Sequence, residues 1–182
     1  LHHFVWSPFQ LTQIGGTLNV DGQVVSGTQA IFLAYMRHPD LTPVMNDALR
    51  FSQQGMTTIF GLAGASLAFY HTAKPEKKMM AKAILLPAII TSMLTGITEP
   101  IEFTSPLLWV IHATLTAASQ AICDIFTVRP WGASGLIEFL IYNLPLPVSL
   151  TRWPGYVLIG IGQFAVYYVI FRTLVVKLNL KT

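Results

Sequence analysis

Two carboxylates, Glu99 and Glu102, stand three residues apart in GITEPIEFT, Gly96 to Thr104, one of the most apolar stretches of the chain. A carboxylate among hydrocarbon neighbours is strongly disfavoured unless it is paired, hydrogen-bonded or facing a wet cavity. Pro100 removes a backbone donor and disfavours helical geometry at Glu99, so the acids fall at a break in regular structure. Irregular backbone at membrane depth survives only against protein or a water-filled cavity. A carboxylate there accepts hydrogen bonds from two donors at once. These residue types suit the binding of a polar solute.

The elements that must position them belong to a membrane protein. Of 182 residues, 53% are hydrophobic and 10% charged, with mean hydropathy +0.56; a soluble domain carries about 25% charged residues. The basic residues cluster. Lys74, Lys77, Lys78 and Lys82 form one group, and Arg172, Lys177 and Lys181 another. Such groups beside apolar spans mark cytoplasmic loops, and a nucleic-acid surface would need a basic face without flanking spans. Cys123 is the only cysteine, which excludes an intramolecular disulfide and a cysteine metal cluster. Its apolar surroundings predict a small buried hydrophobe. No other metal-ligand pattern and no cofactor motif stands out. The chain opens on Leu1 without a signal-peptide pattern, which suggests a start partway through a longer protein.

The expected fold is all-α: transmembrane helices with re-entrant hairpin segments. Residues 1–18, broken by Pro8 and Gly15-Gly16, read as a span end or re-entrant piece. In the polar region 19–54, Asp21-Gly22 predicts a tight turn and Arg37 to Asp40 a loop, with a short amphipathic helix around 43–54. Gly55 to Ala73 is uncharged, rich in small residues and long enough to span as a helix. Ala83 to Ile97 is apolar but short, and it runs into Thr98-Glu99-Pro100 as a broken helix would. Pro106–Val128 and Pro154–Leu178 can span. Gly132 to Leu150, with Glu138, Asn143, Pro145 and Pro147, reads equally as a crossing or a hairpin. Trp131 and Trp153 sit at segment ends, where aromatic belts lie. If both basic groups are cytoplasmic, three crossings between them is one too many or too few. Either 132–150 crosses fully or the segment before Glu99 turns back.

GITEPIEF, together with the upstream Leu1-His2-His3, the block His71-Thr72-Ala73-Lys74-Pro75-Glu76 and the closing Leu178 to Thr182, resembles the EIIC domain. This is the membrane-embedded sugar-transporting component of the bacterial phosphoenolpyruvate-dependent phosphotransferase system, here of its glucose, maltose and N-acetylglucosamine superfamily. The resemblance spans essentially the whole chain and implies residues 1–182 as the C-terminal part of one EIIC domain, without EIIA or EIIB. Family members carry further spans ahead of the histidine motif. They also have about four more residues between the positions of Thr104 and Ser105, about one helical turn or ~6 Å of rise.

The resemblance implies a multi-pass permease of the bacterial inner membrane: sugar is bound, translocated and phosphorylated by a phosphocysteine EIIB partner. It implies a homodimer in the lipid bilayer and no nucleic-acid partner. Its sugar-binding residues carry over to His2 or His3, Thr98, Glu99 and Glu102, and Phe4 and Trp6 stand near enough to pack on a pyranose face. Cys123 lacks the basic surroundings of the EIIB phosphocysteine, so no catalytic residue is assigned. The polar loop after His3 and the stretch Arg50 to Gly55 look more like maltose or α-glucoside members than glucose ones. Competing readings are a truncated, non-transporting scaffold and a membrane glycoside hydrolase. The latter would need carboxyls ~5 Å apart on opposite sides of a bond, which two neighbours in one loop are poorly placed to provide.

Overall fold

A computed structural model describes Pro8 and residues 11–38, 55–98, 101, 106–131 and 134–178, with backbone alone at 106–109. The first described part is not helical throughout. Strands β1 (Thr17–Val20) and β2 (Gln23–Ser26) pair antiparallel around Asp21-Gly22, both at positive φ. This confirms the tight turn and places a strand on either side of it, while most of the span end expected before residue 11 lies outside the described residues. The hairpin leads into α1 (Thr28–Arg37), where the sequence suggested only polar loop. Ile31, Phe32 and Tyr35 of α1 are buried against Leu146 and Leu150, and Trp131 stacks on Phe32 at 4.6 Å.

The main body is a helix bundle. A π-helical turn, Thr57–Gly61, continues into α2 (Leu62–Thr72). After a 3-10 turn at Pro75–Lys77 come α3 (Lys78–Thr95) and α4 (Pro106–Ile125), then α5 (Leu136–Asn143), α6 (Val148–Thr151) and α7 (Trp153–Lys177). Among the described residues two helices have the length and apolar composition of a membrane span, Pro75–Thr95 and Trp153–Lys177. α7 rises about 38 Å, against about 30 Å of hydrocarbon. Gly132–Leu150 is not one crossing helix: α5 covers only about 12 Å. Proline and Asn143 end it early, and Asn143 is fully buried, bonded to the Trp131 N–H and carbonyl and to the Phe139 carbonyl at 2.8–3.0 Å.

The bundle is inverted relative to a soluble protein. Along α3 only Leu85, Ala88 and Ser92 are buried, while Met79, Met80, Ile84, Leu86 and Ile90 face outward. Such continuous apolar exposure marks a lipid or protein contact face. Where α2 meets α7, small residues set the spacing: a Cβ on Gly64 would come within 2.3 Å of the Phe164 carbonyl. Backbones approach that closely because helix association in lipid depends on packing and hydrogen bonding.

Side-chain contacts fix the helix directions. α2 and α7 run together, with Thr57 bonded to Gln163 at one end and His71 to Tyr168 at the other. α3 runs against them, since Lys78 lies over Tyr70 while Ser92 bonds the Thr58 carbonyl. α4 also runs against α7: the His112 carbonyl meets the Tyr167 hydroxyl, and Cys123 packs in a cluster with Tyr156. Consecutive helices α3 and α4 therefore point the same way. The start of α4 thus lies toward the end of the bundle at which α3 begins.

Candidate functional site

The described residues of the acidic segment, 96–98 and Ile101, are held by the bundle. α3 stops at Gly96, which adopts the left-handed conformation (φ +79°) and donates its N–H to the Ser92 carbonyl. Only glycine enters that region without strain. Ile97 and Thr98 continue non-helically, as the proline predicted, and the half-buried Thr98 accepts from the Ile101 N–H at 2.9 Å. Ile101 is fully buried among Leu62, Ala65, Ala68, Ala88, Tyr167 and Phe171. Thr98 is thus placed between a left-handed turn and a core plug. His2, His3, Glu99 and Glu102 lie outside the described residues, as do the boundary between Thr104 and Ser105 and the amphipathic helix expected around 43–54.

A second loop backs this turn. A Cβ on Gly96 would lie 2.5 Å from the Ser134 carbonyl, and one on Gly135 would lie 2.4 Å from the Leu94 carbonyl. The two backbones are in contact with no side chain between them. Thr58 holds the second loop by placing its hydroxyl against the carbonyls of Ser134 and Gly55, and Ser92 donates to the Thr58 carbonyl at 2.9 Å. Glu138, in the first turn of α5, accepts from the Ser134 N–H at 3.2 Å. This carboxylate is a helix-start acceptor favoured by the helix dipole. It closes a polar relay, Ser92–Thr58–Ser134–Glu138, under the Gly96 turn.

Deeper, Thr57 Oγ1 accepts from Gln163 Nε2 and pairs with Thr116 Oγ1, both at 2.9 Å. Gln163 is buried, and its Oε1 has no partner among the described residues. Thr57 and Thr58 both sit in the π-helical turn, a geometry frequent at functional sites. Sequence reasoning passed over these residues. Their signal was Gln163, the only amide in an otherwise apolar α7, facing two threonines in a run of small residues. His112 is a packing histidine, its ring edge-on to Tyr167 at 6.4 Å. Cys123 is fully buried among Met56, Ile59, Val128, Phe139 and Tyr156, as its surroundings predicted. Trp131 and Trp153 likewise pack on aromatic neighbours, Phe32 and Phe139.

Residues 1–117 match the family model described as phosphotransferase system, EIIC. The chain belongs to that family. Over its whole length it is 37% identical to the maltose-specific EIICB component of Escherichia coli K12, covering 36% of that protein. It is 38% identical to the glucose-specific EIICBA component of Staphylococcus carnosus, covering 27%, and 36% identical to the alpha-glucoside-specific EIICB component of Klebsiella pneumoniae, covering 34%. The chain thus spans about a third of the length of these EIIC-containing relatives or less. The alignment to the maltose component runs over 189 residues against 182 here, so gaps fall within this chain. The three identities are too close to separate one sugar from another.

Proposed function

We propose that the chain forms the C-terminal part of one EIIC sugar-transport domain in a multi-pass protein of the bacterial inner membrane. The observation that carries this reading is the whole-length similarity to maltose, glucose and alpha-glucoside components. The shared direction of α3 and α4 supports it, because the acids lie in sequence on the stretch of chain that joins the two helices. We read it as a re-entrant segment whose backbone and carboxylates face a wet cavity in the protein rather than lipid. Glu99 and Glu102 accept from sugar hydroxyls, His2 or His3 and Thr98 complete the polar contacts, and the sugar is of the maltose, α-glucoside or glucose class.

The relatives' EIICB and EIICBA names support an EIIB partner, whose cysteine supplies the phosphoryl group once sugar is presented on the cytoplasmic side. Cys123, buried in the bundle, has no access to such a partner. The assembly is read as a homodimer in the bilayer.

Equilibrium sugar binding to purified full-length variants, paired with uptake in cells, tests the site. Glu99→Gln keeps shape but loses charge. A hydrogen bond to a charged partner contributes about 1.5–3 kcal/mol, so affinity falls roughly ten- to a hundredfold. Phosphorylation of the EIIB cysteine by its upstream donor stays at the parent level. Parent-level sugar affinity in both Glu99→Gln and Glu102→Gln would make GITEPIEFT a structural segment and remove the assigned site.

A further inference from the structure

A groove of about 400 Å³ runs down the bundle between α2, α3 and Phe164 of α7. Its polarity changes along its length. At the end nearest the 73–77 loop stand Tyr70 and the exposed Lys82, with Lys78 Nζ 5.8 Å from the Tyr70 ring centre. Further down the walls are Leu67, Leu85, Leu86, Ile89, Ala63 and Phe164. From Lys82 to Ile89 the groove follows α3 for about 10 Å. Among the described residues neither lysine has an ion-pair partner, and the buried Ser66 on the groove wall has a hydroxyl without a hydrogen-bond partner.

We propose that this groove is a binding site for an anionic phospholipid. The phosphate sits between the Lys78 and Lys82 ammonium groups and the Tyr70 hydroxyl, and one acyl chain descends along Leu85, Leu86 and Ile89. Ser66, one helical turn below Tyr70, faces the level of the ester oxygens and has a proton to donate. Charge complementarity selects the headgroup: two unpaired cations stand at the mouth of an apolar slot, at the start of a span. Basic pockets between membrane helices bind anionic headgroups for this reason. A soluble anion would use the lysines and leave the slot empty, whereas a lipid fills both. Ile101, the described residue of the acidic segment that packs between the helices, does not line the groove.

The test titrates full-length protein in detergent with phosphatidylglycerol and with phosphatidylcholine of the same chains, reading bound lipid by native mass spectrometry. Phosphatidylglycerol is expected to bind preferentially. Each lysine contributes about fivefold, so Lys78→Gln with Lys82→Gln lowers its affinity roughly thirtyfold. Ala63→Phe, which fills the slot beneath intact lysines, weakens it as well. Lys77→Gln, exposed and off the groove, leaves it unchanged. Size-exclusion profiles matching the parent establish that the lysine variants are folded, and those variants decide the matter if Ala63→Phe is not. Equal binding of the two lipids, an equal loss in Lys77→Gln, or displacement of the lipid by inorganic phosphate overturns the proposal. So does a photo-crosslinker at Leu86 that captures protein, from the same chain or a second copy, instead of lipid.

Discussion

At Gly96 a single residue type decides whether the acidic segment can be presented. Its positive φ and its contact with the Ser134 carbonyl are two separate demands, and Gly22 offers a control for the first. Gly22 has nearly the same φ, +82°, with nothing near its missing Cβ. A non-glycine residue in the left-handed region costs about 1–3 kcal/mol. Gly22→Ala should therefore lower the thermal midpoint modestly. Gly96→Ala should lower it further and should also weaken sugar binding, because the Ser134 backbone has to move. Equal shifts for the two in thermal unfolding of the full-length protein would mean that the loop contact carries no energy. Side chains near the proposed ligand sort in the same way. His2→Gln should weaken sugar binding less than Glu99→Gln, and Glu76→Gln, exposed in the lysine loop, should leave it near normal.

Elements depend on how their polar groups are satisfied inside the bundle. The π-helical turn carries Thr57, which serves Gln163 and Thr116 together. Thr57→Val strands both partners, and a buried unsatisfied group costs about 1–3 kcal/mol. Gln163→Met removes an amide whose oxygen is already unsatisfied among the described residues, so it should cost less than Thr57→Val. Denaturant unfolding of the two variants gives the order, and the reverse order would mean that Gln163, not Thr57, organises the cluster. This cluster also marks where sequence reading stopped. Long apolar blocks and charge boundaries were legible: the last helix was expected from Pro154 and begins at Trp153, whereas the helix before the acids stops at Gly96, ahead of the break expected at Thr98 to Pro100. The Asp21-Gly22 turn was legible too. Its strands were not, because TLNV and QVVS are too short for alternation to be distinctive. α1 was missed because its apolar face meets Leu146 and Leu150, more than a hundred residues away. Asn143 looked like a helix interruption and is a two-bond clamp on the Trp131 backbone with a third bond to the Phe139 carbonyl, a role set by a loop that sequence spacing does not place.

The whole molecule has a polarity. His71 meets Tyr168 at 3.0 Å, and Arg172 donates to the same hydroxyl at 3.2 Å, so the Lys74–Lys82 group and the end of α7 lie at one end of the bundle. Two basic groups on the same side give one orientation signal, and the positive-inside rule predicts that this side faces the cytoplasm. A cysteine introduced at Lys78 in a Cys123→Ser background should resist an impermeant thiol reagent applied to intact cells and react in inverted vesicles. Labelling from outside would reverse the orientation, and with it the side on which sugar is released. The resemblance carried the family, while the course of the described chain from α3 past Ile101 to α4 came only from three-dimensional contacts.

That path bears on how the protein is made. α3 and α4 point the same way, so they cannot enter the bilayer as a simple alternating pair of crossings. Ile101 needs Tyr167 and Phe171 as walls, and these are synthesised more than sixty residues later. At about 5–20 residues per second the delay is several seconds. During that interval Ile101 has a finished helix before it and none of its later walls to pack against. Defects at the far end of α7 should therefore appear first as lost yield of inserted protein, before any change in the behaviour of the molecules that do assemble.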